Sequence, residues 1–241
     1  MMHMLRTSTG VGVFLADGRT LALNHILGIG RNYAEHAKEQ GAAVPDAPMV
    51  FTKNAAAAGL DGDDIIVPKV CQDREQVDFE GELAVVIGTR DGGVRDVAKA
   101  DALQHVLGYC VANDVSARWW QKSGSGGQFF RGKSFDTFCP LGPGIVPASE
   151  IANPNALRLT TKVNGQTMQD ASTAEMIFDV ATLVSDLSRG MTLLPGTVIL
   201  TGTPGGVGMA RTPPIWLKHG DVVEITIEKI GTLRNRVVFA E

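Results

Sequence analysis

The segment VDFEGELAVVIG, residues 77–88, constrains the fold more than any other stretch of the chain. Successive side chains of a strand point to opposite faces. Phe79, Leu83, Val85 and Ile87 would therefore share one face, with Ala84 and Val86 on the other. A strand that is apolar on both faces has to be covered on both, so layers must be built on either side of it. Glu80 and Glu82 stand at its start and share the face of Ala84 and Val86. Two adjacent carboxylates entering such a setting repel each other and lose hydration, and a buried unpaired charge is costly. An exposed strand end would relieve the conflict by solvation. A divalent cation would relieve it by charge.

A third acid bears on that choice. VLGYCVANDVSARWWQ has an apolar, strand-like run ending at Asp114. Asp114 can be the N-cap of a following helix or a ligand at a strand end. As a ligand it completes an all-oxygen set with Glu80 and Glu82. Hard oxygen donors favour Mg²⁺ or Mn²⁺, with Ca²⁺ possible in their place. Three carboxylates leave about three of six octahedral positions for water and substrate, the layout of a catalytic ion.

Elsewhere the pattern is mostly strand and turn. A hairpin is expected at Asp17-Gly18, another at Asn164-Gly165 and a third near Gly231. RNYAEHAKEQG reads as a short helix over Tyr33 to Gln40, with Asn32 as its cap and little apolar surface. VAKADALQ reads as a second short helix, and Asp91-Gly92-Gly93 as a turn. The spacing of Met176, Ile177, Val180, Leu183, Val184 and Leu187 predicts a helix that starts after Ser172-Thr173 and stops at Gly190. The Gly-rich KSGSGGQFFRGKSF reads as a loop. Strands outnumber helices, which predicts an α+β, β-rich class. One domain over residues 1–241 is expected, with residues 1–25 as an N-terminal hairpin segment and 26–241 as the core.

Composition removes several function classes. Among 241 residues, 44% are hydrophobic and 20% charged, and the net charge is −4. That balance gives no electrostatic reason to expect nucleic acid or an anionic membrane as partner. No apolar run reaches the length needed to span a bilayer, and the start resembles neither a signal nor a transit peptide, so a cytoplasmic location is expected. Cys71, Cys110 and Cys139 are dispersed and form no C-x-x-C pair, which argues against a disulfide framework and a thiolate zinc site. GIGRNY has Tyr33 where a dinucleotide-binding turn needs its last glycine, and no G-x-S-x-G elbow occurs.

GRNYAEHAKE, DFEGELAVVIG, ANDVSAR, RGKSFDTFCPLGP, VNGQTMQDASTAEMIF and LTGTPGGVG occur in that order. This ordered set resembles the fumarylacetoacetate hydrolase family, and in particular its short members of the acylpyruvate hydrolase type. The resemblance implies a mixed β-sandwich roll of the family's C-terminal-domain type, a homodimer, and a small-molecule dioxo acid as substrate. It implies Glu80, Glu82 and Asp114 as ligands of Mg²⁺ or Mn²⁺. It also implies His36, Glu39 and Lys133 as catalytic residues, and Arg31, Arg118, Gln121 and Thr203 as substrate contacts. His36 and Glu39 are three apart and share a helix face, so Glu39 can orient an imidazole acting as general base.

The activity expected from the resemblance is hydrolytic cleavage of a C–C bond in an acylpyruvate, such as fumarylpyruvate, to pyruvate and a carboxylic acid. The alternative on the same metal site is oxaloacetate decarboxylation or isomerisation of an unsaturated dicarboxylic acid. A non-enzymic protein with a structural ion is the third reading, against which the retained Lys133 and the His36–Glu39 pair argue. One departure from the family pattern is Lys53-Asn54, where many relatives carry Lys followed by Pro or Ser. It lies on a segment expected to form part of the pocket wall.

Overall fold

The computed structural model describes residues 1–8, 10–39, 41, 43–88 and 92–241. Its central element is a seven-stranded mixed sheet. The strands run in the spatial order Met49–Lys53, His25–Gly30, Thr197–Leu200, Gly81–Ile87, Val106–Asn113, Cys139–Pro147 and Ala58–Leu60. Gly81–Ile87 sits in the middle of this sheet, antiparallel to both neighbours, and all seven of its residues are buried. The parallel pairings are His25–Gly30 with Thr197–Leu200 and Ala58–Leu60 with Cys139–Pro147.

Both faces of that strand are covered, as its composition requires. Ala84 and Val86 pack with Val11, Val13 and Leu23, which belong to a three-stranded sheet of Met4–Thr7, Gly10–Phe14 and Thr20–Leu23. Leu83, Val85 and Ile87 pack on the opposite side with Leu159, Val223 and Ile225 of a five-stranded sheet, and with Leu183 and Leu187 of a helix. The result is the expected β-rich sandwich roll. No helix of the described residues is long and apolar enough to cross a membrane.

The turns form where their residues demand. Asn164 and Gly165 both have positive φ, 50° and 79°, as a two-residue turn with a tight reversal requires. The helix expected from Thr173 starts later. Thr173–Glu175 is a single 3₁₀ turn closed by a Ser172–Glu175 capping box, and the α-helix runs Val180–Ser188. Asn32 is the reason. Its backbone carbonyl accepts from the Ile177 N–H and its side-chain oxygen from the Phe178 N–H, which holds residues 176–178 out of the helix. Asp179 then caps the helix by accepting from the Thr182 N–H. Asn32 itself, expected to cap the preceding short helix, instead donates to the Phe178 and Thr201 carbonyls at 3.0 and 2.7 Å.

The short helix spans Ala34–Glu39, with Gln40 outside the described residues. Two of its residues, His36 and Ala37, are buried. VAKADALQ forms 3₁₀ turns over Lys99–His105 rather than an α-helix, and Asp91 of the expected turn also lies outside the described residues. Part of the Gly-rich segment expected as a loop is the helix Phe129–Lys133.

Asn32 thus ties the end of His25–Gly30 to two other segments through a fully buried amide. Asn32→Ala is expected to lower stability by about 2–4 kcal/mol, since it leaves several buried partners unsatisfied. Urea unfolding measures this, and a loss within about 0.5 kcal/mol, as at an ordinary surface site, would show the tie carries little.

Candidate functional site

The three acids converge because of strand register. Ala112 pairs with Glu82 and Asn113 with Gly81, so the end of one antiparallel strand lies against the start of the other. The Asp114 N–H continues the ladder to the Glu80 carbonyl at 2.9 Å. Oxygens of Glu80, Glu82 and Asp114 lie within 4.8 Å of one another, and all three residues are buried. Asp114 does not cap a helix: the next one, Arg118–Gln121, begins after Ala117.

Cations surround this cluster. Lys133 Nζ donates to Glu80 Oε2 at 2.5 Å and to Asp114 Oδ2 at 2.6 Å. Lys133 arrives at the end of its helix, which packs closely on Arg118–Gln121. A Cβ on Gly132 would meet the Gln121 backbone nitrogen at 2.4 Å, so that approach needs glycine. Lys53 Nζ donates to Asp114 Oδ1 and to the Val115 carbonyl. Arg118 Nη1 pairs with Glu80 Oε1 at 2.7 Å, while its Nε and Nη2 grip Asp78 Oδ2 at 2.9 and 2.7 Å. Asp78 is fixed in turn by the Gly208 and Met209 N–H groups.

The acids do not share these partners equally. Burial pushes the Glu80 carboxyl up, but Lys133 and Arg118 outweigh it and hold the group well below the usual carboxylate range. Glu82 is driven well above that range by burial and by the charges of Asp114 and Glu80. Its Oε2 accepts a hydrogen bond from the Gly202 N–H at 2.7 Å. Gly202 has φ +94° and lies against Asn32, so the same amide that shapes the 176–178 segment also sets this donor.

The donor set fits a divalent cation. Lys53, Arg118 and Lys133 face Asp78, Glu80, Glu82 and Asp114, all buried: three positive against four negative groups, a net −1 when all are ionised. A 2+ ion would bring the sum to +1, which an anionic ligand completes. The oxygen-only donors match Mg²⁺, Mn²⁺ or Ca²⁺.

Glu80, Glu82 and Lys133 form part of the lining of a cavity of about 390 Å³. His36 and Glu39 line it from the short helix, with His36 Nδ1 3.7 Å from Glu39 Oε2. Both Glu39 oxygens also accept from the Gly206 N–H, at 2.9 and 3.1 Å. Arg31, Gln121 and Thr203 line the cavity too. The Thr203 hydroxyl donates to the Gly81 carbonyl and accepts from Gln169, whose own oxygen takes the Gly81 N–H. Arg118 lies in the ion-pair network around Glu80 rather than in the cavity wall.

Asp78 and Gln169 were not singled out from the sequence, and Lys53 was marked only with Asn54 as part of a pocket-wall segment, not as a partner of the acids. Lys53 had a readable signal. It follows Met49 and Phe51 at strand spacing, and both of those line the cavity, so a cation falls on an inward face. Asp78 likewise precedes Glu80 and Glu82 by the same two-residue step.

Three comparisons bear on this arrangement. The fumarylacetoacetate (FAA) hydrolase C-terminal model matches residues 25–238. The mitochondrial oxaloacetate tautomerase FAHD2A of Bos taurus is 47% identical over 210 residues, covering 87% of this chain and 65% of the relative. The oxaloacetate tautomerase YisK of Bacillus subtilis is 48% identical over 215 residues, covering 88% and 69%. The crystal structure of fumarylpyruvate hydrolase from Pseudomonas aeruginosa in complex with Mn²⁺ and pyruvate is 30% identical, with a TM-score of 0.84 over 99% of this chain and all of that one. The chain spans just under two-thirds of the length of the bovine relative.

Lys53→Met removes a cation from a fully buried pair and leaves Asp114 less compensated. A loss of about 3–5 kcal/mol in chelator is expected. Mn²⁺ should restore more stability to this variant than to the parent, as read by melting temperature with and without the ion. Equal Mn²⁺ shifts in both would separate Lys53 from the cation site.

Proposed function

The chain belongs to the fumarylacetoacetate hydrolase family, and we propose that it catalyses a metal-dependent keto–enol isomerisation of a small 2-oxo dicarboxylic acid, with oxaloacetate as the first candidate. The observation that carries this is a small cavity lined by Glu80, Glu82, Lys133 and the His36–Glu39 pair, with the buried Asp114 carboxylate directly behind the two glutamates. The choice of reaction leans on the two oxaloacetate tautomerases at 47% and 48% identity. It shifts the weight from hydrolysis to the alternative on the same site.

Glu80, Glu82 and Asp114 would hold the ion. When bound, a divalent cation polarises a carbonyl oxygen and acidifies the adjacent C–H. The protein's own groups then have two tasks. His36, buried and oriented by Glu39, carries one proton between the carbon next to the keto group and the enol oxygen, so that the C–H bond breaks as the O–H bond forms and the reverse reaction restores it. Lys133, fixed between Glu80 and Asp114, offsets negative charge on the substrate oxygen. The Glu39–Gly206 contact holds the short helix against the cavity, which limits water at the reacting carbon.

Hydrolysis is the second reading. It is favoured by the likeness to fumarylpyruvate hydrolase over nearly the whole of both chains. The same His36 would then activate water instead of moving a carbon-bound proton.

The test follows the ultraviolet signal of enol-oxaloacetate, alongside pyruvate release from fumarylpyruvate, with Mn²⁺, with Mg²⁺ and with chelator. Enol loss should accelerate with either ion and fall to the uncatalysed rate in chelator. His36→Gln should slow it by about 10²–10⁴-fold while leaving Mn²⁺ binding intact. Rapid pyruvate release with no accelerated enol loss would establish hydrolysis instead. Chelator-resistant catalysis would rule out the metal in either reaction.

A further inference from the structure

The cavity carries two cations that the proposed chemistry does not use. Arg31 and Lys122 both line it, and neither makes a side-chain hydrogen bond or ion pair among the described residues. The other cations of the site, Lys53, Arg118 and Lys133, are all committed to carboxylates. Glu39, the acid nearest the opening by its exposure, is occupied by His36 and Gly206.

Backbone conformation places both residues at the cavity wall. Arg31 has φ 56°, an uncommon value for a non-glycine residue. It follows the strand His25–Gly30 and precedes the buried anchor Asn32, so its backbone has little freedom to relax. Lys122 has φ −108° and ψ −92°, outside the regular regions, and its N–H closes the helix Arg118–Gln121 on the Arg118 and Trp119 carbonyls. It therefore stands one residue beyond Gln121, another residue of the wall. Burial depresses the Lys122 ammonium, and the positive charges of Arg118 and Arg31 depress it further. Two cations that line one cavity without an ion-paired acid of their own attract an anion into it.

We propose that Lys122 joins Arg31, which the family resemblance already implies as a substrate contact, in an anion subsite that takes the second carboxylate of a dicarboxylic substrate, the first being held at the Glu80–Glu82–Asp114 end of the cavity. The inference deepens the reading given above and rests on it for the orientation of the substrate. It assigns Lys122 a specificity role. The cavity, at the small end of the usual range of ligand sites, suits a short dicarboxylate.

L-Malate and L-lactate share a 2-hydroxy carboxylate head and differ in the second carboxylate. Calorimetric titration of the Mn²⁺-loaded protein with each isolates the subsite without turnover. The parent should bind malate at least tenfold more tightly than lactate. Lys122→Gln and Arg31→Gln should each weaken malate by about tenfold, the scale of one charged hydrogen bond, and leave lactate within about twofold. Lys122→Arg, which keeps the charge at an exposed position, should retain malate binding. Equal affinity of the parent for both ligands, no malate binding at all, or equal losses for both ligands in the Gln variants would overturn the subsite. A parent that prefers malate in this way yet does not isomerise oxaloacetate upholds the subsite and sinks the reaction.

Discussion

Mutual repulsion among Glu80, Glu82 and Asp114 is the constraint around which the rest of the site is arranged. Three carboxylates with oxygens inside 4.8 Å cannot all ionise in a buried place without compensation. Three buried cations supply most of it, and each comes from a different part of the chain. Lys53 ends an edge strand of the central sheet, Arg118 opens a short helix, and Lys133 closes another. Glu82 receives least, which makes it the acid whose charge most needs a further cation.

The fold serves this cluster by register. One antiparallel pairing sets Gly81 opposite Asn113, and the residues just beyond that pair are Glu80 and Asp114. Layers on both faces of the sheet exclude water from the strand that carries the first two acids. Asn32 then joins the region's loops: it fixes the 176–178 segment and lies against Gly202, the donor to Glu82. The His36–Glu39 helix follows directly on from this anchor, so the proposed proton-transfer group is hung from the same hydrogen-bond system.

The central strand and the hairpins were legible in the sequence because their signals are local. Two apolar faces, or an Asn-Gly pair, decide a strand or turn without knowledge of partners. The late start of Val180–Ser188 was not legible, because the helical spacing of Met176 and Ile177 is overridden by Asn32, more than a hundred residues away. The helix carrying Lys133 was read as loop for a similar reason. Its glycine, unfavourable for helix, is there for close contact with Gln121. Among the site residues, acids at strand starts and ends were visible as a pattern. Asp78 was passed over, and Lys53 was placed on the pocket wall without its pairing to an acid, although both fall on the inward step of a strand pattern. Lys122 gave no signal at all, since its place depends on where the preceding helix ends.

The central claim is that the three acids hold one divalent cation. Equilibrium titration with Mn²⁺, followed by the loss of the free-ion paramagnetic resonance signal, tests it most directly. One ion bound per chain in the parent, and at least a tenfold weaker site in Glu82→Gln, is the predicted result. Unchanged Mn²⁺ binding in Glu82→Gln, or no stoichiometric binding in the parent, would contradict it.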